Sequence, residues 1–177
     1  MDTAFYVLRF PIGTFNKPAN YSPEETNRNI NDIHELPERL RTTISTLTPE
    51  QLDTPYREEG WTVRQVVHHL ADSHMNAFIR HRLALTEDDP TIKAYREAEW
   101  AKLADTTLPV ETSLQLLTSL HERWATMLDS LDESELQRTF HHPESGKWTL
   151  EQSIGQYAWH GKHHVAHISR LVERMGW

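Results

Sequence analysis

Apolar side chains recur at the spacing of one helix face along four stretches of the chain. Within each stretch the apolar positions follow one another every three or four residues, which is the repeat of an amphipathic α-helix. No segment shows the strict alternation of apolar and polar residues that is typical of a half-buried strand. The pattern predicts an all-α protein whose four long helices bury their apolar faces in a four-helix bundle. The predicted helices begin at Ser22, Thr62, about Val110 and Thr149, and the last three end near Leu85, Leu131 and Met175.

Capping residues mark where these helices begin. Ser22 is followed three residues later by Glu25, which is the pattern of a capping box. The segments 61–67 and 148–154 resemble each other, and each starts with a tryptophan followed by a threonine that we predict to be an N-cap. Pro37 interrupts the apolar stripe of the first helix, so we expect a kink there.

The remaining segments are predicted to flank or connect the four long helices. Residues 1–21 contain two prolines and a glycine and are predicted to form an irregular arm. Residues 86–109 are acidic and broken by prolines, with a short helix expected over 92–102. The segment 141–146 has the composition of a loop. We therefore expect one domain over residues 1–177: a four-helix bundle with an irregular N-terminal arm and short connecting helices.

Composition narrows the possible functions. The chain has 177 residues, a formal net charge of −8 and no cysteine. The negative charge argues against a nucleic-acid platform, and the lack of cysteine excludes disulfides, cysteine–zinc sites and a thiol nucleophile. No stretch is long and apolar enough to span a membrane, and the first ten residues do not resemble a signal peptide. We therefore expect a cytoplasmic protein.

Histidine is the residue type that indicates a candidate functional site. The chain holds 12 histidines, and most fall in two clusters, one in each of the helices predicted from Thr62 and Thr149. Two histidines four residues apart on a helix face the same way and can bind one metal ion. On a helical wheel, His160 and His164 flank the apolar stripe of the last helix, and His69 falls on the matching flank of the second. We predict that His69, His160 and His164 form a three-histidine site with an open coordination position.

The other histidines are assigned different roles. His68 and His163 are expected on solvated helix surface, whereas His74 and His81 fall on an apolar stripe and are expected to be buried and hydrogen-bonded. Asp72 is the only carboxylate close in sequence to His69, but it points to the far side of the helix. We therefore assign no catalytic base.

Three motifs suggest a family. PIGTF near the start, GWTVRQVVHHLADSHMN, and GKWTLEQSIGQYAWHGKHHVAHI together resemble the DinB/YfiT superfamily, and most closely its YfiT-like metal-dependent hydrolases. The resemblance covers nearly the whole chain. It implies a four-helix bundle that forms a homodimer and carries one zinc or nickel ion per chain on three histidines. The family's motif positions fall on His69, His160 and His164, although the neighbouring His68 leaves an ambiguity of one residue.

The resemblance leaves three functions open. The first is a metal-dependent hydrolase that acts on a small molecule through metal-bound water. The second is a metal-dependent S-transferase, since relatives in the superfamily use low-molecular-weight thiols such as bacillithiol. The absence of cysteine suits this alternative, because the thiol would come from the substrate. The third is a metal-binding bundle without catalytic activity.

Overall fold

The computed structural model describes residues 3–177, with side chains from residue 6 onward. Four long helices dominate this part of the chain. They are α2 (Pro23–Ile44), α4 (Val63–Thr86), α6 (Val110–Asp129) and α8 (Leu150–Met175). Short helices lie between and before them: α1 (Thr3–Arg9), α3 (Pro49–Leu52), α5 (Glu97–Trp100), α7 (Glu133–Leu136) and a 3₁₀ turn (Ala104–Thr107).

The long helices pack as the sequence pattern predicts. α2 lies against both α6 and α8, and α4 lies against the same two helices. Apolar side chains from all four fill the interior; Val67, Leu117 and Ile154 are fully buried there. The predicted four-helix bundle is therefore confirmed. None of the described helices is both long and apolar enough to cross a bilayer.

Capping boxes start three of the four long helices. The side chains of Ser22, Thr62 and Thr149 each accept a hydrogen bond from the backbone N–H three residues later. In each case the side chain of that third residue bonds back to the N-cap, so two otherwise unpaired N–H groups are satisfied. The predicted starts of these helices are confirmed.

Three local expectations were only partly correct. The arm is not wholly irregular, because α1 occupies Thr3–Arg9. Helix in the 92–102 region is confined to α5. The predicted loop at 141–146 belongs to a hairpin in which β1 (Thr139–His142) pairs antiparallel with β2 (Gly146–Thr149). Strands of four residues are too short to show a repeating pattern in the sequence.

Pro37 does not end the first long helix. α2 continues through it to Ile44. Because proline has no backbone N–H, the carbonyl four residues earlier, that of Ile33, receives no hydrogen bond from position 37.

Candidate metal centre

Three histidines from two helices meet inside the bundle. One ring nitrogen from each of His69, His160 and His164 lies within 4.8 Å of the other two. α4 supplies the first, and α8 supplies the other two, which are one helical turn apart. These residues form the group predicted from the sequence, and we call them the histidine cluster.

The nitrogens of the histidine cluster are spaced as donors to one ion would be. The Nε2 atoms of His69 and His160 are 3.3 Å apart. Two nitrogens bound tetrahedrally to one zinc ion, at about 2.0–2.1 Å each, are separated by nearly the same distance. Nδ1 of His164 is buried and has no hydrogen-bond partner among the described residues. Imidazole nitrogens suit zinc and nickel, so the cluster fits a divalent ion of this kind.

Burial keeps the histidine cluster neutral. It lowers the pKa of His69 to about 4. It also lowers the pKa values of His160 and His164 well below their usual range, and neighbouring histidines lower them further. The indole of Trp61 covers His69, with 4.5 Å between the ring centroids. Because a histidine must lose its proton to bind a metal, the cluster is in its metal-accepting state at neutral pH.

His68 is committed to other partners. Its Nδ1 lies 2.7 Å from Ser113 Oγ, and its Nε2 lies 3.1 Å from the carbonyl oxygen of Leu108. The expectation that His68 is solvated was wrong, because α6 and the segment before it cover this side of α4. Both ring nitrogens of His68 are therefore within hydrogen-bond distance of other groups, and His68 lies outside the cluster. Of these two neighbouring histidines, His69 is the better candidate for a metal ligand.

His163 is also buried rather than solvated. Its ring stacks on Trp159 at 4.5 Å and lies 4.3 Å from the ring of His167. His167 in turn donates a hydrogen bond from Nε2 to the carbonyl oxygen of Arg9. The residues of the N-terminal arm thus cover a face of α8 that the helical wheel, which treats each helix alone, assigned to solvent.

The prediction for His74 and His81 is confirmed. Both side chains are fully buried, and His81 Nε2 lies 2.8 Å from Ser153 Oγ. A third core histidine, His121 on α6, was not singled out from the sequence although it is 1% exposed. The sequence feature that could have predicted the burial of His121 is its position within the apolar stripe of α6, beside Leu120.

Two open cavities, of about 540 Å³ and 390 Å³, share His160 and Glu97 in their walls. Partial desolvation raises the pKa of Glu97, and the negative charge of Glu144 raises it further. Glu97 belongs to no recognisable motif and lies far in sequence from α8, so no sequence pattern indicates that it lies beside His160. The larger cavity gives a small molecule access to His160, and the smaller cavity gives access to both His160 and His164.

Polar groups line the larger cavity. The Arg80 side chain is buried; its Nη1 donates to Tyr157 Oη at 3.2 Å and its Nη2 donates to the Lys93 carbonyl oxygen at 3.1 Å. Both Arg80 and Tyr157 lie in the wall that contains His160. The arrangement places a cation and a phenol hydroxyl beside the cluster.

Asp72 does not line either cavity. It is half-buried, and burial together with the charge of Asp105 raises its pKa to about 6. Asp72 therefore lies outside the walls of the two cavities that reach the histidine cluster.

Comparisons with known proteins point to one family. The sequence profile of the DinB superfamily matches residues 32–168. A relative from Bacillus mycoides named "Putative metal-dependent hydrolase" is 54% identical over 170 residues, which are 96% of this chain and 98% of the relative. A relative of the same description from Oceanobacillus iheyensis is 53% identical over 169 residues, with the same coverage.

A solved structure shares the fold. YfiT from Bacillus subtilis superposes with a TM-score of 0.94 at 46% sequence identity, covering 97% of this chain and 99% of YfiT. It is described as a probable metal-dependent hydrolase with an unusual four-helix bundle topology. With a profile match across most of its length and relatives above 50% identity, the chain belongs to the DinB superfamily.

Proposed function

We propose that this protein is a divalent-metal-dependent hydrolase of small molecules, with His69, His160 and His164 as the metal ligands. The observation that carries the proposal is the convergence of three neutral imidazoles within 4.8 Å, with His69 and His164 buried and His160 partly exposed to the cavities. The names of its relatives support the same class of activity.

We propose zinc or nickel as the ion, one per chain. The three donors are imidazole nitrogens, which suit these metals, whereas magnesium and calcium require mainly oxygen ligands. Three protein ligands also leave a coordination position for substrate or solvent.

The ion would supply Lewis acidity, which polarises a substrate oxygen and lowers the pKa of water. Among the described residues we assign Glu97 as the proton acceptor. It lines both cavities that reach His160, and its raised pKa brings it closer to the neutral range in which a carboxylate exchanges protons efficiently. Arg80 and Tyr157 are assigned to hold a polar group of the substrate in the larger cavity.

Replacing Glu97 tests this assignment. We expect Glu97→Gln, in protein loaded with zinc or nickel, to lower kcat for hydrolysis of chromogenic esters or amides about 10²-fold or more, without loss of bound metal. Glu122→Gln is the matched control, because Glu122 is an exposed carboxylate on α6 and lines neither cavity.

The same preparation should be assayed with an electrophile and a low-molecular-weight thiol. Metal-dependent hydrolysis without thiol is the expected result. Turnover that requires the thiol would contradict the hydrolase proposal and favour the S-transferase. Absence of both activities in metal-loaded protein would favour a non-catalytic metal-binding bundle.

A further inference from the structure

A chain of hydrogen bonds leads away from the histidine cluster across the whole bundle. The Nδ1 atom of His160 lies 3.2 Å from Nε2 of His74, whose own Nδ1 lies 3.1 Å from Nε2 of His121. His121 Nδ1 lies 2.6 Å from the carbonyl oxygen of Ile33. The chain therefore passes from α8 to α4, then to α6, and ends on the backbone of α2. We call it the histidine relay.

The end of the histidine relay sets its direction. A carbonyl oxygen can only accept, so His121 must carry its proton on Nδ1. A neutral imidazole has one N–H, which leaves His121 Nε2 as an acceptor for the N–H at His74 Nδ1. By the same reasoning His74 Nε2 accepts from His160 Nδ1, and His160 Nε2 is left without a proton.

The rings of the relay are neutral in the folded protein. His74 is completely buried and His121 is 1% exposed, and a charged imidazolium ring at either position would lose its hydration. Each ring therefore has one donor and one acceptor, as the single direction of the relay requires.

Pro37 explains why the Ile33 carbonyl is available. In an α-helix this carbonyl would accept the N–H of residue 37, but proline has none. The oxygen is thereby left for a side chain, and His121 reaches it from the facing helix α6. A proline inside a 22-residue helix costs stability. Here it leaves the Ile33 carbonyl oxygen free to accept a hydrogen bond from His121.

We propose that His74, His121 and Pro37 are positioning residues that hold His160 in the Nδ1–H tautomer, with the bare Nε2 facing His69. The functional meaning of this inference rests on the proposed metal site, although the tautomer is a property of the metal-free chain. Hydrogen bonds to the second nitrogen of a metal-binding histidine fix its tautomer and orientation, and removing such partners typically weakens metal binding about 10–100-fold.

The tautomer is measured directly in metal-free, ¹⁵N-labelled protein at pH 7.5. Long-range ¹H–¹⁵N correlation spectra distinguish a protonated ring nitrogen from a bare one, and the His160 signals are assigned by their loss in His160→Gln. We expect His160 to carry its proton on Nδ1. Finding the proton of His160 on Nε2 would overturn the inference, and the proton is located in the wild-type protein itself.

Variants of His121 test whether the relay acts on the metal. His121→Phe fills the same space without hydrogen bonds, and we expect it to mix the two tautomers of His160 and to weaken zinc or nickel binding about 10–100-fold. His121→Gln offers an amide N–H and a carbonyl, and should restore affinity to within a few-fold. Pro37→Ala restores a backbone N–H that competes with His121 for the Ile33 carbonyl oxygen. We expect it to shift the His160 tautomer and the metal affinity in the same direction as His121→Phe, but to a smaller extent.

The matched control is His81→Phe. His81 is as buried as His74 and lies on the same helix, but its partners are Ser153 and Trp124 rather than the relay. We expect it to lower stability and leave the His160 tautomer unchanged. Equal metal affinity in wild type and folded His121→Phe would overturn the inference. A wild-type protein that binds no metal would instead overturn the proposed function, while the tautomer result would stand.

Discussion

His81 has both ring nitrogens in hydrogen bonds at the centre of the bundle. Trp124 donates from Nε1 to His81 Nδ1 at 3.1 Å, so the His81 proton sits on Nε2 and is donated to Ser153 Oγ. Burial, with a contribution from the positive charge of Arg80, lowers the pKa of His81 to about 3. The residue is thus neutral when the protein is folded and becomes charged below pH 6.5 only when it unfolds.

This difference predicts an acid-sensitive stability. Because the unfolded chain binds the proton more tightly, the contribution of His81 is fully present above about pH 6.5 and is lost as the pH falls toward its folded pKa. Between pH 7.5 and 5 the loss is about 2 kcal/mol for this one histidine. Urea unfolding of wild type and His81→Gln measures it, since glutamine can keep both hydrogen bonds but does not titrate. We expect the stability gap between the two proteins to shrink by that amount; a gap independent of pH would contradict the assignment.

The sequence was sufficient to identify the histidine cluster. It was not sufficient to show the contacts that engage the neighbouring histidines, His68 and His163, elsewhere. The i, i+4 spacing and the helical wheel bring His160 and His164 to one flank, and these are properties of a single helix. The burial of His163 and the engagement of His68 depend on the N-terminal arm and on α6. These contacts join parts of the chain far apart in sequence, so no local pattern reports them.

At the scale of elements, helix starts were predictable because their chemistry is local. The paired segments 61–67 and 148–154 each contain an N-cap threonine and a glutamine three residues later, and both capping boxes form. The hairpin was not predictable, because its strands have four residues each and are stabilised by burial of Phe140 and Trp148 against the end of the bundle.

Gly161 of α8 packs directly against Leu36 of α2. A Cβ atom there would lie 2.9 Å and 3.0 Å from the two methyl carbons of Leu36, which is buried. We expect Gly161→Ala to lower the free energy of unfolding by about 1–2 kcal/mol, because overpacking outweighs the gain in helix propensity. Thermal unfolding measures the change. In a Leu36→Ala background the same substitution should be neutral or stabilising; a higher melting temperature for Gly161→Ala alone would show that the helices can separate at little cost.

At the scale of the whole molecule, the candidate metal centre joins α4 to α8. An ion that binds only the folded state stabilises it by about 2.7 kcal/mol at a free concentration 100 times the Kd. For a chain of this length that corresponds to a rise of roughly 5–10 °C in Tm. Calorimetry of the same protein before and after chelation measures the shift. Equal melting temperatures in saturating zinc or nickel and in chelator would mean that no ion bridges the two helices.

A homodimer remains a prediction drawn from the family resemblance. Leu103, Leu108 and Leu116 are large apolar side chains that the single chain leaves exposed. We expect light scattering after size exclusion to give twice the mass of one chain at micromolar concentration. A mass of one chain would contradict the prediction.

The central claim is that His69, His160 and His164 hold one divalent ion. Elemental analysis of protein purified without immobilised-metal chromatography, then equilibrated with zinc or nickel and desalted, tests it most directly. We predict about one equivalent per chain in wild type, in His68→Ala and in His163→Ala. We predict much less than one in His69→Ala, His160→Ala and His164→Ala. Equal metal content in all six proteins, or loss in His68→Ala with retention in His69→Ala, would contradict the account.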